Sequence, residues 1–329
     1  MTASRSANKE PLVWALTDDR AGNRSQCLGV ADALGLPYVE KPLAYGRAAG
    51  LPNALIGASF KGLKKTSRES LMPPWPDVAI AAGRRTAPVA RNIARLSGGR
   101  CFLAQIMYPG PGAKEFGLIA VPAHDRPRRG GNVVTMTGAP HGLDAARLKA
   151  AAHQWRGRFD DLPRPWIALI VGGSTRRRKF TAKMARELAA RASKMALTAG
   201  GSLLVTTSRR TGAAAGVLID AITAPCRVHR WGKDEAAANP YAGYLALADA
   251  VVVTGDSASM CTEACATSAP VYIFAPPALT VAKHARLHED LYAKGYAKPL
   301  GELYQPWSHP PLNPAQDVAA AIRQRLGML

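Results

Sequence analysis

Residues 251–274 read VVVTGDSASMCTEACATSAPVYIF. The apolar run at 251–254 predicts a buried strand, a small polar turn follows, then a helix, then a second buried strand ending at Phe274. The turn is Thr254-Gly255-Asp256-Ser257-Ala258-Ser259. Gly255 suits close backbone approach, and the hydroxyls suit capping of the next helix. A helix N-terminus offers unpaired N–H groups and partial positive charge, which favour phosphate. Glu263, farther along that helix, is placed to reach a ribose beyond the phosphates. Strand–turn–helix units are common, and the stretch equally fits one that binds nothing.

Outward from this stretch the same rhythm recurs. Residues 12–16 form a short apolar strand, followed by Thr17-Asp18-Asp19-Arg20-Ala21-Gly22-Asn23 and a helix from about Arg24 to Leu34. Residues 77–82 are a buried strand ending in Gly83-Arg84-Arg85-Thr86, and residues 116–121 are another, ending at Pro122-Ala123-His124-Asp125. An Ala-rich helix over 144–158 closes this half, and Asp161-Leu162-Pro163-Arg164-Pro165 marks a boundary. The second half restarts with a strand at 166–171 running into Gly172-Gly173-Ser174, and a strand at 202–206 running into Thr207-Ser208-Arg209-Arg210-Thr211. A short strand at 226–231, the Asn239-Pro240-Tyr241 opening of another helix, and helices over 283–294 and 317–326 complete it. Strands alternating with helices imply an α/β chain with parallel sheets in two Rossmann-like halves. Residues 1–10 are expected as a disordered tail, 11–162 as the first domain, 163–312 as the second, and 313–329 as a closing helix.

The chain has 329 residues and a formal net charge of +20. Such a field attracts phosphorylated ligands, anionic lipid or nucleic acid, and charge alone does not choose among them. No nucleic-acid-binding motif supports the last. The five cysteines include no C-x-x-C, and no His cluster has zinc spacing, so a reducing compartment and no bound metal are expected. Cys261 and Cys265, one helical turn apart, read as small core residues. The polar N-terminus lacks the apolar core of a signal peptide, and no run is long enough to span a bilayer. The expected location is the cytoplasm. Residues 51–75 mix apolar side chains with Lys61, Lys64, Lys65 and Arg68. That mixture suits peripheral contact with anionic lipid, or a core-packing helix with a solvated basic face.

Several nucleotide and hydrolase signatures are absent. There is no Walker A sequence, no Gly-x-Gly-x-x-Gly after the first strand, and no Gly-x-Ser-x-Gly elbow. The polar loops after strands would line a cleft between two facing domains, a favoured ligand position. Arg209 and Arg210 suit bidentate pairing with a diphosphate. Asp18 and His124 are the acid–base candidates. Asp18 equally suits an N-cap or Asx turn, and His124 a loop-bracing hydrogen bond.

The run Leu16-Thr17-Asp18-Asp19-Arg20-Ala21-Gly22-Asn23-Arg24-Ser25-Gln26 resembles the first-strand motif of the Elongated-Mitochondria-like family. Ala82-Gly83-Arg84-Arg85-Thr86-Ala87-Pro88, Val121-Pro122-Ala123-His124-Asp125, Gly172-Gly173-Ser174, Thr206 through Thr211, Asn239-Pro240-Tyr241, and Val253 through Met260 with Glu263 extend the resemblance in order along the chain. Two positions depart from it: Asp19 stands where the family often has glycine, and Thr262 where it usually has serine. The first leaves open which of Asp18 and Asp19 faces the cleft. The family resembles GT-B glycosyltransferases, with two Rossmann-like domains across a cleft and a C-terminal helix crossing back to the first. The resemblance implies a nucleotide-sugar donor as substrate, no cofactor and no metal. It implies a lipid-linked or envelope saccharide acceptor at the cytoplasmic membrane face, where residues 51–75 sit as a membrane patch sits in a transferase acting on lipid-linked muramyl peptide. Gly173, Ser174, Arg209, Ser257 and Ser259 would hold the diphosphate and Glu263 the ribose, with Gly22, Asn23, Arg84, Arg85, Gly172, Thr207, Ser208, Arg210, Gly255, Asp256 and Met260 completing the ligand-binding set. Asp18, or failing it His124, would be the base if the reaction inverts. The alternative is a non-catalytic transferase-like adaptor that recruits a membrane-remodelling partner.

Overall fold

A computed structural model describes residues 10–128, 130–232 and 238–328. The chain divides into two compact units: Met1–Met136 with Pro140–Gly142 and Pro314–Leu329, and Thr137–Ala139 with Leu143–Asn313. The expected tail, residues 1–10, lies outside the described residues apart from Glu10.

The first unit contains β1 (Val13–Asp18), α1 (Ala21–Leu34), β2 (Tyr38–Leu43), α2 (Asn53–Ile56), α3 (Lys65–Glu69), β3 (Val78–Ala82), α4 (Ala87–Leu96), β4 (Phe102–Ile106), β5 (Leu118–Pro122) and β6 (Val133–Met136). The second contains α5 (Ala145–Trp155), β7 (Trp166–Val171), α6 (Ala182–Thr198), β8 (Ser202–Thr207), α7 (Ala214–Asp220), β9 (Cys226–His229), α8 (Tyr241–Leu247), β10 (Ala250–Thr254), α9 (Ala258–Ala264), β11 (Val271–Phe274), α10 (Ala282–Ala293) and β12 (Lys298–Pro299). The chain then returns to the first unit as α11 (Pro314–Leu326).

Each unit is built on a six-stranded parallel sheet, ordered β2-β1-β3-β4-β5-β6 in the first and β12-β11-β10-β7-β8-β9 in the second. Parallel sheets are covered on both faces, so their central strands are apolar throughout rather than alternating. In β7, Ile167, Leu169 and Val171 pack with α6 residues Leu188, Ala192 and Met195. Trp166, Ala168 and Ile170 pack on the other face with Tyr244, Cys261, Leu287 and Leu291. In the first unit, Val13 and Ala15 meet Val30 and Leu34 of α1 and Val318 and Ile322 of α11. Arg323 of α11 donates to the carbonyls of Ala33 and Leu34 at 3.1 Å, which satisfies helix-end acceptors.

Two expectations change. The first helix begins at Ala21, so Gly22 and Asn23 stand in its opening turn rather than in the preceding loop. The helix expected at the end of the first half, α5, belongs to the second unit. Trp155 stacks on Phe159 at 6.0 Å, and both rings pack edge-on against Tyr244. That aromatic cluster outweighs the Pro-rich punctuation at 161–165 that suggested a boundary there.

Candidate functional site

In an open parallel sheet the ligand position lies beyond the carboxyl ends of the strands, where the strand order reverses. In the second unit that point is between β10 and β7. The loops meeting there are tied by their own groups. Gly172 N–H donates to Thr254 Oγ1 at 2.7 Å. Gly173 N–H donates to Asp256 Oδ2 at 3.0 Å, and the Arg210 guanidinium lies 2.5 Å from the same oxygen. Ser174 N–H donates to the Arg210 carbonyl at 2.9 Å. Ser208 Oγ and Thr211 Oγ1 both donate to the Gly172 carbonyl, at 2.5 and 2.6 Å. Asp256 is buried, and its Oδ1 has no hydrogen-bond partner.

This network gives the glycines a different cause from the one expected. A Cβ on Gly172 would lie 2.5 Å from the Asp256 carboxylate, and one on Gly173, at φ +142°, 2.2 Å from the Arg210 carbonyl. A Cβ on Gly255 would meet the His288 ring at 2.5 Å. The protein's own packing therefore requires these glycines before any ligand is considered. It also engages the amides of Gly172, Gly173 and Ser174, two of which, Gly173 and Ser174, belong to residues the family resemblance assigns to the diphosphate.

Other predicted residues keep groups available. Arg209 is exposed, and Arg176, Arg177, Arg178 and Lys179 are exposed on the loop after β7. Ser257 caps α9, its Oγ accepting from Met260 N–H at 3.4 Å. Ser259 and Met260 are half-buried in the same helix, Met260 packed on the adjacent core. Glu263 is half-buried, and its Oε2 accepts a hydrogen bond from Tyr241 Oη at 2.5 Å. Burial pushes its carboxyl up to about 7, against the lowering effect of that bond. Thr207 Oγ1 accepts from the Trp231 backbone N–H at 3.0 Å, which ties down the main chain at a tryptophan that is 49% exposed just beyond β9. Trp231 and the Tyr241–Glu263 bond were missed from sequence. The first had only a tryptophan after an apolar run as its signal, and the second joins residues with no sequence relation.

In the first unit the order reverses between β1 and β3, and an Asp–Arg pair again spans the point. Asp18 accepts from Arg20 N–H at 3.0 Å on Oδ1, and on Oδ2 from Asn23 Nδ2 at 3.0 Å and the Arg85 guanidinium at 3.1 Å. Arg85 also pairs with Asp19, which is 63% exposed on its side chain, and lies over the Tyr45 ring at 4.5 Å. A Cβ on Gly83 would lie 2.4 Å from Asn23 Nδ2. Gly22 is exposed with open space around it. Arg84 does not join this cluster: it donates to the Leu51 carbonyl at 3.0 Å and Asn53 Oδ1 at 3.2 Å, bracing the loop before α2. His124 is buried in a single 3₁₀ turn after β5, three strands from β1 in the sheet order.

Residues 51–75 divide their apolar side chains. Ile56, Leu63 and Leu71 are buried, and Trp75 packs edge-on against Trp14 at 6.0 Å. Leu51, Leu55 and Met72 remain 47%, 71% and 62% exposed, beside exposed Lys61, Lys64, Lys65 and Arg68. The apolar content expected as one patch is thus partly core. Among the described residues no helix is long and apolar enough to cross a membrane.

The family model described as Mitochondrial fission ELM1 matches residues 21–326. Mitochondrial fission protein ELM1 of Arabidopsis thaliana is 30% identical over 311 residues, covering 87% of this chain and 72% of that protein. The UDP-GlcNAc 2-epimerase of Methanocaldococcus jannaschii has a TM-score of 0.58 at 11% identity, covering 96% of this chain and 99% of its own. The glycotransferase of kitacinnamycin has a TM-score of 0.53 at 14% identity, covering 97% and 94%. These structural likenesses show the fold, which is GT-B.

Proposed function

The chain belongs to the Mitochondrial fission ELM1 family, and from that premise we propose that it is a GT-B glycosyltransferase. It moves a sugar from a nucleotide-sugar donor to a lipid-linked or envelope saccharide acceptor at the cytoplasmic face of a membrane. One observation carries the reading: at the β10/β7 reversal, α9 presents a half-buried carboxyl, Glu263, two turns beyond the Gly255-Asp256-Ser257 loop. Perturbed carboxyls at such positions mark ligand sites. Glu263 accepts from ribose hydroxyls, while Arg209 with the Ser257 and Ser259 hydroxyls holds the diphosphate. Trp231 offers an exposed ring to the base. Asp18 is the base, since three bonds occupy its carboxylate and leave one acceptor position on Oδ1. The exposed Leu51, Leu55 and Met72, with their neighbouring lysines, contact anionic lipid. That one structural neighbour is an epimerase of UDP-GlcNAc and another a glycotransferase supports a nucleotide-sugar donor.

The test is calorimetric titration with nucleoside diphosphates and their sugars, on the native protein and on Glu263→Ala. One diphosphate class binds, and the variant binds it at least about tenfold more weakly, the effect of losing hydrogen bonds to a charged acceptor. Equal affinity in the two proteins would remove Glu263 from the site. A second reading, the non-catalytic adaptor, is favoured by the internal engagement of the 172–174 amides. A folded native protein that binds no nucleotide would favour that reading instead.

A further inference from the structure

The Asn-Pro-Tyr stretch has no part in the scheme above, although its tyrosine touches the central carboxyl of the site. Asn239 Oδ1 accepts from Tyr241 N–H at 3.0 Å, an Asx turn that sets the first residue of α8. Tyr241 then donates from Oη to Glu263 Oε2 at 2.5 Å, bridging α8 and α9. Its ring packs on the core shared by β7, β10 and α10, so the phenol has a fixed origin. Gly243, two residues on, lies where a Cβ would meet the Trp155 ring at 2.4 Å, which holds α8 close to α5. The turn, the ring packing and the helix contact thus converge on the placement of one hydroxyl. A carboxylate that binds two ribose hydroxyls in competition with water needs a fixed orientation, and a buried donor on one oxygen supplies it.

We infer that Tyr241 is a positioning residue: it orients Glu263 and favours its ionised form, so that Oε1 and the remaining acceptor position of Oε2 receive the hydroxyls of a nucleoside diphosphate. This inference rests on the nucleotide reading of Glu263. Among the described residues, the titratable groups electrostatically coupled to the carboxyl are the Tyr241 phenol on α8 and the Cys261 thiol on α9 itself, both raised chiefly by burial. Neither carries charge near neutrality. The carboxyl's own titration is therefore set by burial, which raises it, and by Tyr241, which lowers it. Hydrogen bonds from a ribose strengthen when the acceptor is ionised, so affinity rises with pH through the Glu263 transition near 7.

The experiment pairs two measurements on the full chain. The Glu263 side-chain carbon is followed by NMR from pH 5 to 9, and uridine diphosphate affinity is measured over the same range by calorimetry. In Tyr241→Phe, the ring stays and the donor goes. The Glu263 midpoint moves to higher pH, and affinity at pH 7 falls about tenfold, the equivalent of one charge-assisted hydrogen bond. Asn239→Ala keeps the phenol but loosens its turn, and shifts both in the same direction by less. Glu263→Gln removes the part of the pH dependence with a midpoint near 7 and leaves that of the ligand's own terminal phosphate, which titrates at about 6. An unchanged midpoint in Tyr241→Phe overturns the inference, as does a shifted midpoint with unchanged affinity. A native protein that binds no nucleoside diphosphate at any pH overturns the nucleotide reading itself, a result distinct from a Tyr241→Phe variant that behaves like the native chain.

Discussion

Arg210→Met destabilises the second unit by about 3 kcal/mol, the lower end of the range for stranding one member of a buried ion pair. Asp256 is fully buried on its side chain, while Arg210 is 33% exposed. Solvent therefore attenuates the guanidinium's contribution but gives no relief to the carboxylate it leaves behind. In the variant the remaining donor to Asp256 is the Gly173 N–H, and Oδ1 is already without a hydrogen-bond partner. Methionine fills much of the arginine stem's volume, which separates charge loss from cavity formation. The companion variant Arg210→Met with Asp256→Asn recovers most of the loss, because a neutral amide carries no buried charge. Urea unfolding of the native protein, the single variants and the double variant closes the cycle. Hydrogen exchange of the β7, β8 and β10 amides locates the effect in this unit. A cost below about 1 kcal/mol for Arg210→Met would assign the pair to the solvent-screened class.

The architecture was legible because its signals are local. Continuous apolar runs such as Ile167 through Val171 are what a strand buried on both faces requires, and the helices between them carry ordinary caps such as Thr181 on Met184 N–H. The glycines at strand ends were legible as positions of close approach, but not what approaches. Sequence pointed to a ligand, whereas the atoms in contact are Asp256, Arg210 and His288, which lie 33 to 84 residues away. The Tyr241–Glu263 bond and the two Asp–Arg pairs are tertiary in the same sense. Nothing in the run Asp18-Asp19 says that Arg85 will reach back over the reversal point to take both carboxylates. The division of residues 51–75 between core and surface was illegible for another reason. It folds as pieces of four or five residues, α2 and α3, too short for a periodicity that would sort Leu63 and Leu71 into the core and Leu55 and Met72 out of it. Both sheets close their reversal points with an aspartate and an arginine, and both carboxylates are buried. In the second unit Asp256 lies beneath the loops and pairs with Arg210. In the first, Asp18 ends its strand, and three donors leave one acceptor position on Oδ1.

Asp18→Asn is expected to lower turnover by at least about 100-fold, the usual contribution of a positioned general base, while donor affinity stays within about twofold. Release of nucleoside diphosphate, with the donor identified by the binding screen, measures it. Geometry separates Asp18 from its neighbour. Asp18 is the last residue of β1, its carboxylate fixed by Arg20 N–H, Asn23 and Arg85, so the remaining acceptor position points in one direction. Asp19 is largely exposed and pairs only with Arg85 among the described residues, which leaves most of its carboxylate hydrated. A base gains from orientation, because proton transfer requires hydrogen-bond reach in the reacting complex. Asp19→Asn therefore costs less than about tenfold. Arg85→Gln weakens the hold on Asp18 from one side and falls between the two. His124 is buried three strands away, and His124→Gln leaves turnover near native if Asp18 alone takes the proton. A greater loss from His124→Gln than from Asp18→Asn would transfer the base to the end of β5. Asp18 would then be a structural carboxylate serving Arg85, as Asp256 serves Arg210.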